Sequence, residues 1–219
     1  SRSLKIYFKD VEFRLYFLLI IVSSIILLVY SSFVYTNQIS VMGILFQVIS
    51  FITTSGFVST SYENWPVSII SILLFLSFLG ACAGSTGGGM KIIRVLFIAK
   101  ELKRGLIKII HPSAEVPIKI NNQSVNENIS NNILLFFIFY LISYIFLSLI
   151  LLLLGLDATT AFSSIAACLN NLGPGAGIVI DNYSSISTSS KYVLSFAMLL
   201  GRLEIYTLLI IITPYFWKY

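Results

Sequence analysis

The chain has 219 residues, of which 57% are hydrophobic and 11% are charged, and its formal net charge is +5. Soluble domains carry about a quarter charged residues, so this composition excludes an ordinary soluble domain and indicates a membrane protein. We attribute the positive charge to membrane topology and expect no nucleic-acid partner. The chain begins at Ser1 with basic residues and lacks the pattern of a signal peptide, which leads us to expect a fragment without its N-terminal part.

The first part of the chain predicts a membrane span followed by a helix that enters the membrane and returns. Residues 13–35 are long enough to cross about 30 Å of hydrocarbon as a helix, whereas apolar residues 41–52 are too short. A polar loop, residues 53–59, follows directly, and non-helical backbone at membrane depth is tolerated only where protein or water surrounds it. This loop begins with the tetrad Thr53, Thr54, Ser55 and Gly56.

Glycine interrupts the next span. Residues 67–79 are apolar, but five of the following ten residues, 80–89, are glycines, which form helices poorly and allow a mobile loop. A basic amphipathic helix is expected from Met90 to about Leu106. We interpret the interruption as a gate inside the membrane, and a glycine-rich face for helix packing is the alternative. The gate would consist of Gly84, Ser85, Thr86, Gly87, Gly88 and Gly89.

Two enzymatic interpretations of the interruption fit the sequence less well. The segment before Lys91 resembles a phosphate-binding loop, but it is one residue too long and has Ile92 where Ser or Thr binds the metal. Ser85 could act as the nucleophile of an intramembrane hydrolase only with a base in the membrane, and His111 lies in a polar linker. Cys82 and Cys168 form no paired pattern, so we expect no disulfide and no protein-bound metal centre. We expect no enzyme and keep the hydrolase as an alternative.

The second half of the chain repeats this order of elements. Residues 129–154 form a long span, residues 158–168 are again too short to cross, and residues 192–212 form the last span. A polar linker, residues 109–128, with a little extended structure, separates the two halves. The polar tetrad after the second short segment is Asn170, Asn171, Leu172 and Gly173.

The two halves match at a constant offset of 117 residues, which separates Gly56 from Gly173. At the same offset Arg202, in the last span, corresponds to Ser85 of the gate. Charged residues within the membrane normally face an interior or a water path, so we expect Arg202 to bind carbonyls of the gate and to repel cations. A structural ion pair is the alternative, but Glu204 does not share a helix face with Arg202.

The distribution of basic residues predicts cytoplasmic termini, a cytoplasmic linker and two polar loops that open outward. Both short helices end at their polar loops, and the partial negative charge of a helix C-terminus favours a cation. Backbone carbonyls of such loops can replace the hydration shell of an ion. The sequence therefore predicts a cation path, and an ordinary membrane hairpin is the alternative.

The chain resembles the TrkH/TrkG branch of the Trk/Ktr/HKT superfamily of potassium transporters through the strings ITTSGFVST, GACAGSTGGGMKIIR, HPSAEVPIKI, ACLNNLGPG and FAMLLGRLEIYTLLIIITPYFW. The resemblance implies an all-α membrane protein with four repeats of span, pore helix, filter loop and span around one pore. Residues 1–108 would be the third repeat and residues 129–219 the fourth. Both tetrads would line the selectivity filter, with K⁺ at Thr53, Thr54, Asn170 and Asn171, and Arg202 would belong to the gate. Ser55 stands where threonine is common in the family.

The resemblance also implies partners, location and activity. It implies potassium transport across the prokaryotic plasma (inner) membrane by a homodimer with one pore per subunit, and no cofactor besides the transported K⁺. Its partners would be the two N-terminal repeats, membrane lipid and a cytoplasmic nucleotide-binding regulatory ring (TrkA-like), with residues 91–108 and the linker as candidate contacts. Channel-like and H⁺- or Na⁺-coupled transport (a symporter) stay open, as does the alternative of a non-conducting assembly subunit.

Overall fold

A computed structural model gives the architecture of most of the chain. Several predicted features lie outside the described residues, among them the turn at residues 63–64, Glu204 and the last part of the final span. The described residues are 9–34, 39–59, 65–114, 116–121, 123–203, 214 and 216–218.

Seven α-helices and one short β-hairpin account for most of the described residues, so the predicted all-α class is confirmed. The hairpin lies in the linker, where β1 pairs antiparallel with β2. The elements are α1 (Val11–Val34), α2 (Val41–Ile52), α3 (Val67–Leu79), α4 (Ile92–Ile110), β1 (Lys119–Ile120), β2 (Gln123–Ser124), α5 (Glu127–Leu153), α6 (Ala158–Leu169), a 3₁₀ turn (Gly177–Val179), α7 (Thr188–Arg202) and a 3₁₀ turn (Phe216–Lys218).

The short helices α2 and α6 correspond to each other residue by residue. Each has 12 residues, and their first residues, Val41 and Ala158, are separated by the offset of 117. Each begins with a side chain that caps the free backbone N–H groups of the first turn. Ser40 accepts a hydrogen bond from the Gly43 N–H (3.0 Å), and Asp157 accepts one from the Thr160 N–H (3.0 Å).

The packing places each short helix between two longer neighbours. Helix α2 packs against α1 and α3, and α6 packs against α5 and α7. The two halves meet where α3 packs against α6. An apolar cluster around Phe51 and Leu73 also contains Ala166 and Leu172 from the second half. The hydrophobic core therefore runs across both short helices and holds their C-terminal ends in fixed positions.

The lengths and surfaces of the helices suit a membrane. Within the described residues, two helices are long and apolar enough to cross a bilayer, over Val11–Phe33 and Asn128–Leu153. Their apolar side chains point largely outward, and Phe33 and Leu153 are 85% and 87% exposed. At 12 residues, α2 and α6 are about 18 Å long and cannot cross about 30 Å of hydrocarbon. In each half, a helix long enough to cross is followed by a half-length helix, as the sequence predicts.

Two helix boundaries differ from the sequence prediction by four residues, for local reasons. Helix α4 continues past Leu106 to Ile110, because the next strong helix breaker is Pro112 and the residue before a proline is disfavoured in a helix. Helix α7 begins at Thr188 and not at Tyr192, because the Ser187 hydroxyl caps it by accepting from the Ser190 N–H (3.2 Å).

Asp157→Ala is expected to lower the thermal stability of the full-length protein at neutral pH, since a lost N-cap costs about 1 kcal/mol. Hydrogen bonds from the Thr160 side chain and backbone hold the pKa of Asp157 below its usual range. A depressed folded-state pKa stabilises the fold above the unfolded-state pKa, and this contribution is lost as the pH falls through the folded-state pKa. Thermal melting in detergent should show a difference between wild type and variant that shrinks in acid.

Asp181→Ala provides the matched control. Asp181 is an exposed aspartate in the loop before α7 and caps no helix among the described residues. Its removal should leave the melting curve unchanged at every pH. A constant deficit of Asp157→Ala from neutral pH down to about pH 3 would contradict the capping role.

Candidate functional site

Helix α2 ends in a Schellman motif, in which two backbone N–H groups fold back onto the last turn. The Ser55 N–H donates to the Ser50 carbonyl (3.0 Å), and the Thr54 N–H donates to the Phe51 carbonyl (3.2 Å). The motif satisfies two helix carbonyls that would otherwise lack a partner. It requires the residue after the C-cap, Thr54, to adopt a left-handed conformation.

Helix α6 ends in the same motif at the same offset of 117 residues. The Leu172 N–H donates to the Ala167 carbonyl (2.8 Å), and the Asn171 N–H donates to the Cys168 carbonyl (3.0 Å). The equivalent of Thr54 is therefore Asn171. The two short helices match not only in length but in the hydrogen bonds that end them.

Left-handed residues recur at every second position of both tetrads. Thr54 and Gly56 have φ angles of +54° and +74°, and Asn171 and Gly173 have φ angles of +52° and +102°. A left-handed β-branched residue such as Thr54 is a backbone outlier that costs on the order of 1–3 kcal/mol. Alternation of the sign of φ turns successive peptide planes toward the same side. Both loops are therefore shaped to present several carbonyl oxygens together.

Side chains of the tetrads serve mainly to fix the loops. Thr53 donates its hydroxyl to the Ile49 carbonyl (2.7 Å), back along α2. The fully buried Asn170 donates its Nδ2 to Ser77 Oγ of α3 (2.7 Å) and accepts a hydrogen bond from the hydroxyl of Tyr140 in α5. The amide of Asn170 thus ties the second loop to both halves of the molecule.

Some carbonyl oxygens of the tetrads accept a hydrogen bond from the protein, and others do not. The Gly173 carbonyl accepts from the Tyr183 hydroxyl (2.8 Å), and the Thr53 carbonyl accepts from the Thr54 hydroxyl (2.7 Å). The two loops also touch, because a Cβ on Gly56 would overlap the Leu172 carbonyl oxygen. The carbonyls that accept no hydrogen bond from the described part of the chain are those of Thr54, Ser55, Gly56, Asn170, Asn171 and Leu172.

The interrupted span leaves the helical path as a closed loop. The Met90 N–H donates to the Phe78 carbonyl (3.0 Å), and the Ile92 N–H donates to the Ala81 carbonyl (3.3 Å). These bonds bring the end of α3 and the start of α4 together, so the residues between them project from the helix axis as a compact loop with adjacent ends. We call residues 82–89 the gate loop.

The gate loop packs against both tetrads. The Gly88 N–H donates to Thr54 Oγ1 (2.8 Å). A Cβ on Gly88 would overlap the Asn170 carbonyl oxygen, and a Cβ on Gly87 would lie 3.0 Å from Thr54 Oγ1. The backbone of the gate loop therefore packs directly against the backbone of the second tetrad. A side chain on Gly88 would force the loop away from the tetrads.

Three charged side chains from separate parts of the chain bind the gate loop. Arg202 donates from Nη1 to the Thr86 carbonyl (2.8 Å), the contact that the repeat offset led us to expect. Lys91 donates from Nζ to the carbonyls of Ser85 (2.7 Å) and Gly87 (2.5 Å). The first turn of α1 contributes the carboxylate of Glu12, which accepts from the Ala83 N–H (2.6 Å). Together with the bond from Gly88 to Thr54, four side chains hold five of the eight residues of the loop.

A cavity of about 280 Å³ borders the gate loop. Besides the loop it is lined by Lys91 and Arg202, by Phe136 and Tyr140 of α5, and by the end of α7. Both charged residues in this lining are cationic, and a low-dielectric cavity lined by one sign of charge excludes ions of the same sign. With the loop in this position, the cavity opposes the entry of a cation.

Sequence reasoning missed several residues that hold the site. The sequence places Lys91 in the basic segment 91–108, a candidate contact of the regulatory ring. In the structure its ammonium binds carbonyls of the gate loop. A lysine at the start of a helix opposes the helix dipole, and that conflict is a signal that could have singled it out. Glu12, Ser77 and Tyr140 gave no sequence signal, because their partners lie far away along the chain.

Comparisons with known proteins agree with this architecture. The family model TrkH, described as a cation transport protein, matches residues 2–219. The chain is 42% identical over 226 residues to the Trk system potassium uptake protein TrkH of Escherichia coli strain K12, and 32% identical over 220 residues to TrkG of the same strain. The crystal structure of the potassium transporter TrkH from Vibrio parahaemolyticus matches 98% of the chain with a TM-score of 0.88 and 40% identity.

The match covers nearly all of this chain but only part of each relative. It spans 100% of the chain and 46% of Escherichia coli TrkH, 99% and 45% for TrkG, and 47% of the Vibrio parahaemolyticus structure. The chain therefore spans about half the length of the relatives that it matches. Since the family model covers almost every residue, the chain belongs to the TrkH family of cation transport proteins, which are membrane proteins.

Proposed function

We propose that this chain forms half of a pore that carries K⁺ across the membrane, with a carbonyl-lined filter and a gate directly against it. The observation that carries the proposal is the pair of half-length helices that end in the same left-handed motif 117 residues apart. Potassium as the ion rests on the relatives, which are named as potassium uptake proteins and a potassium transporter. Residues 1–108 and 129–219 are one repeat each, joined by the linker 109–128.

The filter is built from main-chain oxygens and not from side chains. The side chains of Thr53 and Asn170 are occupied in holding the loops, whereas the carbonyls of Thr54 and Asn171 are free among the described residues. Each set of oxygens follows the C-terminal end of a helix, where the dipole favours a cation. K⁺ is bound at Thr53, Thr54, Asn170 and Asn171, and the filter comprises Thr53, Thr54, Ser55, Gly56, Asn170, Asn171, Leu172 and Gly173.

The arrangement described here corresponds to a closed gate. Gly88 rests on the Asn170 carbonyl, and Arg202 and Lys91 place two positive charges at the adjacent cavity. An ion leaving the filter would have to displace the loop and pass both cations. The gate comprises Gly84, Ser85, Thr86, Gly87, Gly88, Gly89 and Arg202.

The pore needs further chains and segments. We propose that two more repeats, N-terminal in the same protein, complete the ring around the ion path, since the relatives are about twice as long as this chain. The whole protein is a homodimer in the prokaryotic inner membrane, surrounded by lipid and regulated by a cytoplasmic nucleotide-binding ring of the TrkA type. The linker and the basic face of α4 lie on the cytoplasmic side.

A hydrolase that uses Ser85 is the alternative from another class, and the geometry argues against it. Lys91 Nζ lies 3.2 Å from Ser85 Oγ, which is a serine–lysine pair. However, a base must be neutral and accept a proton, whereas this ammonium donates to the hydroxyl and to two carbonyls. A non-conducting assembly subunit is the other alternative, and a flux measurement separates it from a pore.

Gly173→Ser in the full-length protein is expected to lower the preference for K⁺ over Na⁺ by about tenfold. An added Cβ at Gly173 would meet open space, so the expected effect is not a steric clash. It comes from the backbone conformation, because serine rarely adopts a φ of +102°. The measurement is Rb⁺ and Na⁺ uptake by cells that lack other potassium transport.

Gly155→Ser is the matched control. Gly155 also has open space around it and a positive φ, +88°, but it lies in the turn after α5, away from both tetrads. Both variants should lose similar stability, and only Gly173→Ser should lose selectivity. Equal selectivity in the two variants would remove Gly173 from the filter.

Arg202→Ala is expected to raise the resting Rb⁺ flux about tenfold, because it removes the charged hydrogen bond to Thr86 and one of the two cations at the cavity. Lys191→Ala is the control, since it removes one positive charge from an exposed side chain in the first turn of α7, outside the segment 91–108. A lower flux in Arg202→Ala at normal expression would refute its role as a barrier.

A further inference from the structure

Lys91 holds two of three consecutive carbonyls in the gate loop. Its ammonium binds the carbonyls of Ser85 and Gly87, while Arg202 from α7 binds the carbonyl of Thr86 between them. The three carbonyls belong to consecutive residues, yet two different side chains bind them. The loop is therefore held by two cations, Lys91 at the start of α4 and Arg202 at the end of α7.

The backbone of Lys91 is strained in a way that the sequence would not predict. Its φ and ψ angles are +67° and 131°, a region that residues other than glycine rarely occupy. It stands at the N-cap of α4 without a side-chain cap, and its positive charge lies at the positive end of the helix dipole. Strained residues of this kind persist only where surrounding contacts enforce them, and they concentrate at switch regions.

We propose that Lys91 is a positioning residue that latches the gate loop shut, as a second clamp beside Arg202. The inference rests on the proposed function of the chain as a gated pore. In the closed state the ammonium neutralises the Ser85 and Gly87 carbonyls and turns them away from the ion. Opening separates the ammonium from these oxygens and lets the Lys91 backbone relax, so the strain favours opening and the hydrogen bonds favour closure. A two-state element of this kind responds to small changes in either contribution.

The test compares three substitutions of Lys91 in the full-length protein. Lys91→Met removes the ammonium and keeps a long unbranched side chain, so the resting Rb⁺ flux should rise about tenfold. Lys91→Arg retains the charge and should show less than half of that increase. Lys191→Met, an exposed position in the first turn of α7 and outside the segment 91–108, controls for the lost charge and should leave the flux unchanged.

Lys91→Gly separates the latch from a merely structural role. Glycine accepts a φ of +67° without strain, so this variant should melt in detergent at or above the temperature of Lys91→Met. Its resting flux should still exceed that of wild type, because the ammonium is lost, but should lie below that of Lys91→Met, because the strain that favours opening is also lost. A structural role predicts the opposite, a flux restored together with the stability. If Lys91→Met fails to reach the membrane, Lys91→Gly carries the test alone. The preference for K⁺ over Na⁺ should stay at the wild-type value in all Lys91 variants, because the filter is unchanged.

The outcomes distinguish this inference from the proposed function. If neither wild type nor Arg202→Ala carries Rb⁺, the proposed pore fails and the latch fails with it. If Arg202→Ala raises the flux but Lys91→Met and Lys91→Gly do not, the latch alone is overturned. In the double variant Lys91→Met with Arg202→Ala, two clamps on one loop should give less than the product of the two single increases, and a full product would show that they do not share the loop.

Discussion

The constraint on which this structure depends is the need of every non-helical peptide group for a hydrogen-bond partner where hydrocarbon provides none. Helices α2 and α6 are too short to cross a membrane, and a loop separates α3 from α4. The backbone groups that these three interruptions leave outside helices lie next to one another. The Schellman motifs satisfy the ends of α2 and α6 within the helices themselves. Inside the gate loop the Ser85 N–H donates to the Cys82 carbonyl (3.1 Å), and other backbone groups of the loop take partners from elsewhere, namely Glu12, Thr54, Lys91 and Arg202. A broken span thereby becomes a loop with one defined position, held by contacts that can be released separately.

Close backbone packing explains why glycine recurs at the centre of the molecule. Three carbonyls at the end of α6, those of Leu169, Asn170 and Leu172, each lie against a glycine from a different segment. Those glycines are Gly201 in α7, Gly88 in the gate loop and Gly56 in the other tetrad, and a Cβ on any of them would overlap the carbonyl oxygen. The last helix, the gate and the two loops are thus assembled around one stretch of backbone. Movement of one of these segments changes the space available to the others.

Much of this arrangement could be predicted from the sequence, because it follows from length and repetition. The lengths of the apolar runs located α2 and α6 to within one residue. The offset of 117 residues aligned Arg202 with the gate, and the structure contains the contact between Arg202 and Thr86. The left-handed backbone at Thr54 and Lys91 could not be predicted, because local preferences oppose it and only tertiary contacts enforce it. The assignment of the tetrads to an ion filter and of the loop to a gate stays a prediction.

The linker and the gate loop are bound to the same helix end, which connects the two regions physically. At the tip of the hairpin, Asn121 accepts from the Val11 N–H (3.2 Å) and donates to the Asp10 carboxylate (3.0 Å), and so completes the N-terminal cap of α1. The carboxylate of Glu12, within the first turn of the same helix, holds the Ala83 N–H at the start of the gate loop. A displacement of the hairpin alters the hydrogen bonds of the helix turn that carries Glu12. Lys91 holds the loop from the start of α4, and α4 is itself bound to the hairpin because Lys100 donates to the Lys119 carbonyl (2.5 Å). Arg202 holds the loop from α7, so two attachments of the loop are connected to the linker and one is set by the last helix.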